Sequence, residues 1–136
     1  MTLVREAMVT EPASLPVSAS AQDAGALLAR PEVRAIFVCR DEQLVGVVTR
    51  KTLVREVVAT GRDPGTTPLG EIAEKPYLAL EGAMPLDEAF WVLEERDLER
   101  VPVVEEGRLV GVLSRAVIQR RLAEDEPLAG LEDAAD

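Results

Sequence analysis

One heptapeptide pattern occurs twice in this chain. Leu44-Val45-Gly46-Val47-Val48-Thr49-Arg50 returns 65 positions later as Leu109-Val110-Gly111-Val112-Leu113-Ser114-Arg115. The same offset sets Ile36-Phe37-Val38-Cys39 against Val101-Pro102-Val103-Val104, and Asp23-Ala24 against Glu88-Ala89. With one residue inserted, Met8-Val9-Thr10-Glu11-Pro12 faces Ile72-Ala73-Glu74-Lys75-Pro76. A duplication that holds register over separated segments constrains the fold more than any single motif. The chain is two similar units of about sixty residues, and a unit that small buries too little surface to stand well alone.

Each unit reads alike. Behind the Pro comes a short apolar strand, expected over 13–17 and 77–80. A helix follows, 21–29 and 86–95, whose Ala24, Leu27, Leu28 and Ala89, Val92, Leu93 recur at helical spacing. A buried strand (35–39, 101–104), a polar turn (40–43, 105–108) and a third strand (44–48, 109–113) make a hairpin pattern. A second helix closes each unit, 50–59 and 115–123, with Thr49 and Ser114 as N-cap residues. Segment 61–68 is a linker dense in helix breakers. The tail 124–136 is acidic, short of large apolar residues, and expected to be disordered. The expected fold is therefore α/β (α+β): two β-α-β-β-α repeats, 3–60 and 69–123, related by a pseudo-two-fold axis and packed sheet to sheet in one module.

Composition narrows the chemistry. The 136 residues include no His and one Cys, Cys39. That removes His acid–base catalysis, His-containing triads and most zinc or non-haem iron sites. It also removes an internal disulfide and a thiolate metal cluster. Cys39 itself reads as a small buried strand residue rather than a redox sensor. Fifteen Lys+Arg against twenty-five Asp+Glu leave a net charge of −10, which repels nucleic acid phosphates. The N-terminus turns charged too early for a signal peptide, and no apolar run approaches the roughly 18 residues of a membrane span. A cytoplasmic protein with neither nucleic acid nor membrane as partner is expected. The many carboxylates form no recognisable catalytic constellation, so no enzyme is expected.

Gly46-Val47-Val48-Thr49-Arg50-Lys51-Thr52-Leu53 and Gly111-Val112-Leu113-Ser114-Arg115-Ala116-Val117-Ile118 resemble the Gly-apolar-apolar-Thr/Ser-x-x-Asp-apolar segment of cystathionine-β-synthase (CBS) domains. Arg100-Val101-Pro102-Val103-Val104 resembles that family's second strand. The resemblance is to a tandem CBS pair, or Bateman module, and covers roughly residues 3–123. It implies a regulatory role: binding of AMP, ADP, ATP or S-adenosylmethionine between the repeats, with no cofactor required, and a signal passed to an enzyme, transporter or channel. It also implies that the Thr/Ser hydroxyl contacts phosphate, that the Asp holds the ribose, and that the first and second strands line an adenine slot. Carried onto this chain, the ligand residues are Ala13, Ser14, Ala35, Ile36, Thr49, Arg50, Lys51 and Thr52 in the first repeat. In the second they are Tyr77, Leu78, Arg100, Val101, Pro102, Ser114 and Arg115.

The chain departs from the family at the ribose position, which is Thr52 in one repeat and Val117 in the other. Thr offers one hydroxyl where Asp offers two acceptor oxygens, and Val offers none. The loss is worth about 1.5–3 kcal/mol, so the first repeat is the better site and the second reads as degenerate. Arg50 and Lys51 follow Thr49 at a first helical turn, where cations oppose the helix dipole unless an anion compensates. Four consecutive apolar residues, Phe90-Trp91-Val92-Leu93, cannot all face one core. Together with Val54, Val58, Val117 and Ile118 they point to a partner face, and the family implies a homodimer through such helices. With no effector domain in view, the output acts in trans on a separate protein. The competing expectation is a ligand-free dimerisation or interaction module with degenerate nucleotide sites.

Overall fold

The computed structural model describes residues 1–125, so most of the tail expected to be disordered lies outside the described residues. In chain order the elements are α1 (Val4–Ala7), β1 (Ser14–Pro16), α2 (Ala21–Leu28), β2 (Ile36–Arg40), β3 (Gln43–Val48), α3 (Arg50–Leu53) running into a π-helical turn (Val54–Val58), α4 (Leu69–Ile72), β4 (Leu80–Glu81), α5 (Leu86–Arg96), β5 (Arg100–Glu105), β6 (Arg108–Ser114) and α6 (Arg115–Asp125). The fold is mixed α and β, with two repeats of one pattern. No described helix is long and apolar enough to cross a membrane.

The chain forms two compact units that do not follow the sequence repeats. One holds Glu11–Tyr77 with Glu106–Leu109; the other holds Met1–Thr10, Leu78–Glu105 and the described chain from Val110 on. Each repeat's opening helix therefore belongs to the unit of the other repeat. Val4 and Ala7 of α1 are buried with Leu80, Leu93, Val103 and Ile118, while Leu69 and Ile72 of α4 are buried with Ala24, Leu28, Ile36 and Val48.

In the Glu11–Tyr77 unit, β1 pairs parallel with β2 (Ser14 opposite Phe37) and β2 antiparallel with β3 (Ile36 opposite Val48). Strand β2 lies between the other two, and its Ile36-Phe37-Val38 run is buried throughout, as a central strand requires. The β2–β3 turn puts Asp41 and Glu42 at φ 50° and 71°, the positive pair that matches the twist of a tight hairpin. Ser20 and Asp23 form a capping box on α2. The linker is not a loose tether: Ala21 N–H donates to Thr67 O (2.8 Å) and Gln22 N–H to Pro64 O (3.0 Å), so it satisfies the remaining first-turn donors of α2. The helix expected over 50–59 is α-helical only as far as Leu53. Beyond it, Ala59 N–H reaches back five residues to Val54 O (2.8 Å). Val54, Val57 and Val58 are β-branched and crowd a tight turn. The wider turn buries Val57 and leaves Val54 and Val58 exposed.

The second unit repeats the scheme with β5 central, buried from Val101 to Val104. The strand expected over 77–80 begins only at Leu80, where parallel pairing with Val103 starts. Leu86, Ala89 and Leu93 turn one stripe of α5 into the core, and Asp97 ends the helix in the left-handed region at φ 53°.

The glycine of each repeated heptapeptide marks a crossing of chains. A Cβ on Gly46 would sit 2.6 Å from Ala73 Cβ, beside the paired Val47 and Glu74 backbones. A Cβ on Gly111 would sit 2.6 Å from Met8 Sδ and 2.8 Å from Val9 O, beside the paired Val9 and Val112. The segment that follows each repeat's opening helix passes over β3 or β6 at that point, and only a bare Cα leaves room.

Candidate functional site

In the Glu11–Tyr77 unit the strands carry three of the expected regions to one end of the sheet. Phe37 N–H donates to Ala13 O (3.0 Å), Ile36 pairs with Val48, and Thr49 follows Val48 directly. Ala13, Ile36 and Thr49 thus lie on adjacent strand ends, with Ser14 and Ala35 next to them in the chain. Ser14 is exposed, Ala13 and Ala35 half-buried, and Ile36 fully buried.

Thr49 caps α3, as its position predicts. Its Oγ1 accepts from Thr52 N–H (3.3 Å), and its own N–H donates to Thr52 Oγ1 (3.1 Å). The two hydroxyl oxygens are also 3.1 Å apart. Thr52 is fully buried, so the hydroxyl expected at the ribose position is committed to the helix cap. Thr49 remains half-exposed. Arg50 Nη2 donates to Arg30 O at 2.8 Å, closing off the chain just past α2. Lys51 is exposed and takes part in no ion pair among the described residues.

The second repeat treats its equivalents differently. Ser114 Oγ accepts from Val117 N–H (3.2 Å), again a helix cap. Arg115, the counterpart of Arg50, is only 16% exposed and is surrounded by carboxylates: Glu99 in direct contact, Asp97 at 3.5 Å and Glu94 at 4.0 Å. Its backbone N–H donates to Glu99 O (2.8 Å). The Glu99 hydrogen bond, reinforced by the three negative charges, pushes this guanidinium above its ordinary value despite partial burial. Nothing in the local sequence marks Glu94, Asp97 and Glu99 as its partners, because they converge only through the end of α5. Val101 and Pro102 are buried in β5, and Arg100 is exposed. Tyr77 stands outside any strand and is 86% exposed, in the other unit from half-buried Leu78.

The apolar helix residues also sort. Trp91 is 68% exposed and Val58 72%, while Ile118, expected on a partner face, is fully buried. Phe90 and Val117 are partly buried against their own core. A feature that hydrophobic patterning missed is a groove of about 500 Å³ lined by Gly25, Ala26, Leu53, Val57, Val58 and Arg62, among others. Small residues leave it open, and periodicity counts only the large ones. Cys39 is half-buried, and burial raises its thiol above the ordinary value, which disfavours a reactive thiolate.

The CBS domain family matches residues 4–59 and 69–124, both repeats in register. The chain belongs to the CBS-domain family. Hypoxic response protein 1 of Mycobacterium tuberculosis is 35% identical over 94 residues, 68% of this chain and 66% of that protein, so the match spans slightly under two thirds of the relative. A crystal structure of Hypoxic Response Protein I with two coordinated zinc ions aligns at TM-score 0.75 and 30% identity, covering 89% of this chain and 99% of that one. CBSX2 in complex with AMP aligns at 0.74 and 23% identity, covering 93% and 99%, and so shares the fold. A hexameric CBS-CP12 protein from bloom-forming cyanobacteria aligns at 0.63 and 26% identity, covering 99% and 85%. Self-association thus occurs among structural neighbours of this CBS pair.

The zinc ions belong to the relative. This CBS pair has no His and one half-buried Cys, and no three His, Cys, Asp or Glu among the described residues are grouped to hold a metal. The described residues do not fit a coordinated zinc ion of the usual His/Cys kind.

Proposed function

We propose that this CBS pair is a regulatory module, not an enzyme, that binds an adenosine-containing ligand (AMP, ADP, ATP or S-adenosylmethionine) through its first repeat. In this reading it signals to a separate protein in trans, from the cytoplasm, as a homodimer joined through helices near Val54, Val58, Phe90, Trp91 and Val117. The observation that carries the proposal is the contrast between Lys51 and Arg115. Two residues after Thr49, Lys51 is exposed and in no ion pair among the described residues, and Thr49 follows a strand end beside those bearing Ala13 and Ile36. Beside Ser114 the cation of Arg115 already has three carboxylates. An incoming phosphate gains a charge-assisted contact at the first position and must displace Glu99 at the second. The AMP complex of CBSX2, which shares the fold, is consistent with the ligand class.

A thermal-shift panel with AMP, ADP, ATP, S-adenosylmethionine and a GTP control tests this. A ligand at one hundred times its dissociation constant adds about 2.7 kcal/mol to stability, a shift of several degrees. A ligand-free interaction module is the second reading, favoured by the committed Thr52 hydroxyl and by Val117 at the second ribose position. Absence of any shift at millimolar ligand selects it.

A further inference from the structure

The two repeats share one pattern of elements but differ in charge around the cap of the closing helix. At the offset of 65, residues 29–35, 50 and 51 correspond to 94–100, 115 and 116. The first set has four cations (Arg30, Arg34, Arg50, Lys51) against Glu32, a net +3. The second has three (Arg96, Arg100, Arg115) against Glu94, Glu95, Asp97 and Glu99, a net −1. Both keep an arginine directly after the cap, Arg50 and Arg115. Glu94 and Glu99, which approach Arg115, stand where the first repeat has Ala29 and Arg34.

The two arginines accordingly meet different partners. Arg50 is exposed, and its guanidinium reaches a neutral group, Arg30 O, which also accepts Val33 N–H at 3.1 Å. Neither Arg34 nor Arg50 is in an ion pair among the described residues. Arg115 holds Glu99 twice: its backbone N–H donates to Glu99 O at 2.8 Å, and its Nη2 donates to the Glu99 carboxylate. The main-chain bond fixes position 99 beside position 115, so the residue there decides which charge Arg115 meets. A guanidinium takes a carboxylate and a phosphate through the same fork of N–H groups. With Glu99 on that fork and Asp97 and Glu94 beside it, an arriving phosphate finds the donors taken and like charge around them.

We propose that Glu99 is the second repeat's own anion: its carboxylate takes the place of a ligand phosphate on Arg115, closes that repeat, and limits the chain to one phosphate-bearing ligand, held by the first repeat. The inference rests on the ligand reading proposed above and adds the stoichiometry and the residue that sets it. Glu99 determines specificity by exclusion. Its counterpart Arg34 carries the opposite charge, so the two repeats are made unequal by a single pair of equivalent positions more than by any other.

Calorimetric titration of the full chain with AMP and with ATP reads the number of sites directly, which a purely structural ion pair would not change. The wild type is expected to bind one nucleotide per chain. Val117→Thr gives the second repeat the residue of Thr52 and, with Glu99 still in place, is expected to bind one as well. Adding Glu94→Ala and Glu99→Arg, the residues of the first repeat, is expected to raise the number to two. The reverse exchange, Arg34→Glu, places a carboxylate beside Arg50 and should weaken nucleotide binding at least about tenfold beyond Arg34→Ala, the loss of one charge-assisted contact. Arg34 is exposed, so this second arm decides the matter if melting shows the triple variant unfolded. Two sites in the wild type or in Val117→Thr alone, or one site in a folded triple variant, overturns the role of Glu99 while the ligand reading stands. Binding by the triple variant but not by the wild type keeps the role of Glu99 and overturns the first-repeat ligand. No binding by either overturns both.

Discussion

Thr49 and Thr52 use their hydroxyls on each other's backbone: each side-chain oxygen accepts the other residue's N–H, at 3.3 and 3.1 Å, with Thr52 sealed from solvent. This reciprocal box holds the start of α3 at the end of β3, and so holds the candidate phosphate position in place. Thr52→Val keeps the shape of the side chain but leaves the Thr49 N–H without its acceptor. An unmet partly buried donor costs about 1–3 kcal/mol, and urea unfolding should show the midpoint fall by that amount at constant slope. Thr52→Ser, which retains the oxygen, should recover most of the hydrogen-bond loss. Equal midpoints for the Val and Ser variants would show that the box contributes nothing.

The two crossing glycines and the groove glycine should respond in opposite directions to the same substitution. Gly46→Ala and Gly111→Ala each force a methyl to within 2.6 Å of a neighbouring side chain and close to backbone oxygen. Overpacking of this kind costs about 1–3 kcal/mol. Gly25→Ala meets nothing closer than 3.7 Å on a helix, and is expected to gain about 0.4–1 kcal/mol by restricting the unfolded chain. Calorimetric melting of the three variants checks the ordering; a loss at position 25 would contradict the open groove.

Lys51→Ala and Arg115→Ala separate the two candidate anion positions. Lys51 has no ion pair among the described residues, so its removal should move stability by less than about 0.5 kcal/mol while abolishing the adenosine-ligand shift. Arg115→Ala should leave that shift intact and lower the melting temperature, because Glu94, Asp97 and Glu99 are left facing one another. Because its guanidinium is held above the ordinary value, Arg115 contributes its full stabilisation below its unfolded value and loses it only as pH rises through the folded one. Its effect should therefore be flat across neutral pH. A ligand shift lost in Arg115→Ala but kept in Lys51→Ala would transfer the site to the second repeat.

Cys39 should give the wild type a distinct alkaline slope. Burial raises its thiol above 9.0 in the folded chain. The unfolded thiol ionises first, so above about pH 9 the unfolded state binds fewer protons than the native one, and stability falls as pH rises. Below that pH it adds no slope. Urea unfolding of the wild type and Cys39→Ala from pH 8 to 10.5 isolates the effect: the wild type should lose ground to the variant as pH increases. A constant difference over that range would rule out the buried thiol.

Much of this CBS pair is legible in its residues because the relevant physics is local. The register of the duplication, the apolar stripe of α5 and the caps at Thr49 and Ser114 depend on residues a few positions apart, so each appears as a pattern. Even the need for Gly46 and Gly111 shows as a repeated glycine, although its cause does not. The expected strand at 77–80 failed at its start because pairing with Val103, not local propensity, decides where β4 begins. The helix over 50–59 kept its place but changed its pitch at Val54.

By itself the sequence determined that there are two α/β repeats, where their elements lie and which family they belong to. Only the tertiary structure decided that α1 and α4 each join the core of the other repeat's unit, that the Thr52 hydroxyl is committed to a cap, that Arg115 is neutralised by Glu94, Asp97 and Glu99, and that Ile118 is core rather than surface. Those choices join residues far apart in the chain. They depend on which surfaces fit once the elements have formed, and no short window of sequence contains both sides of such a contact.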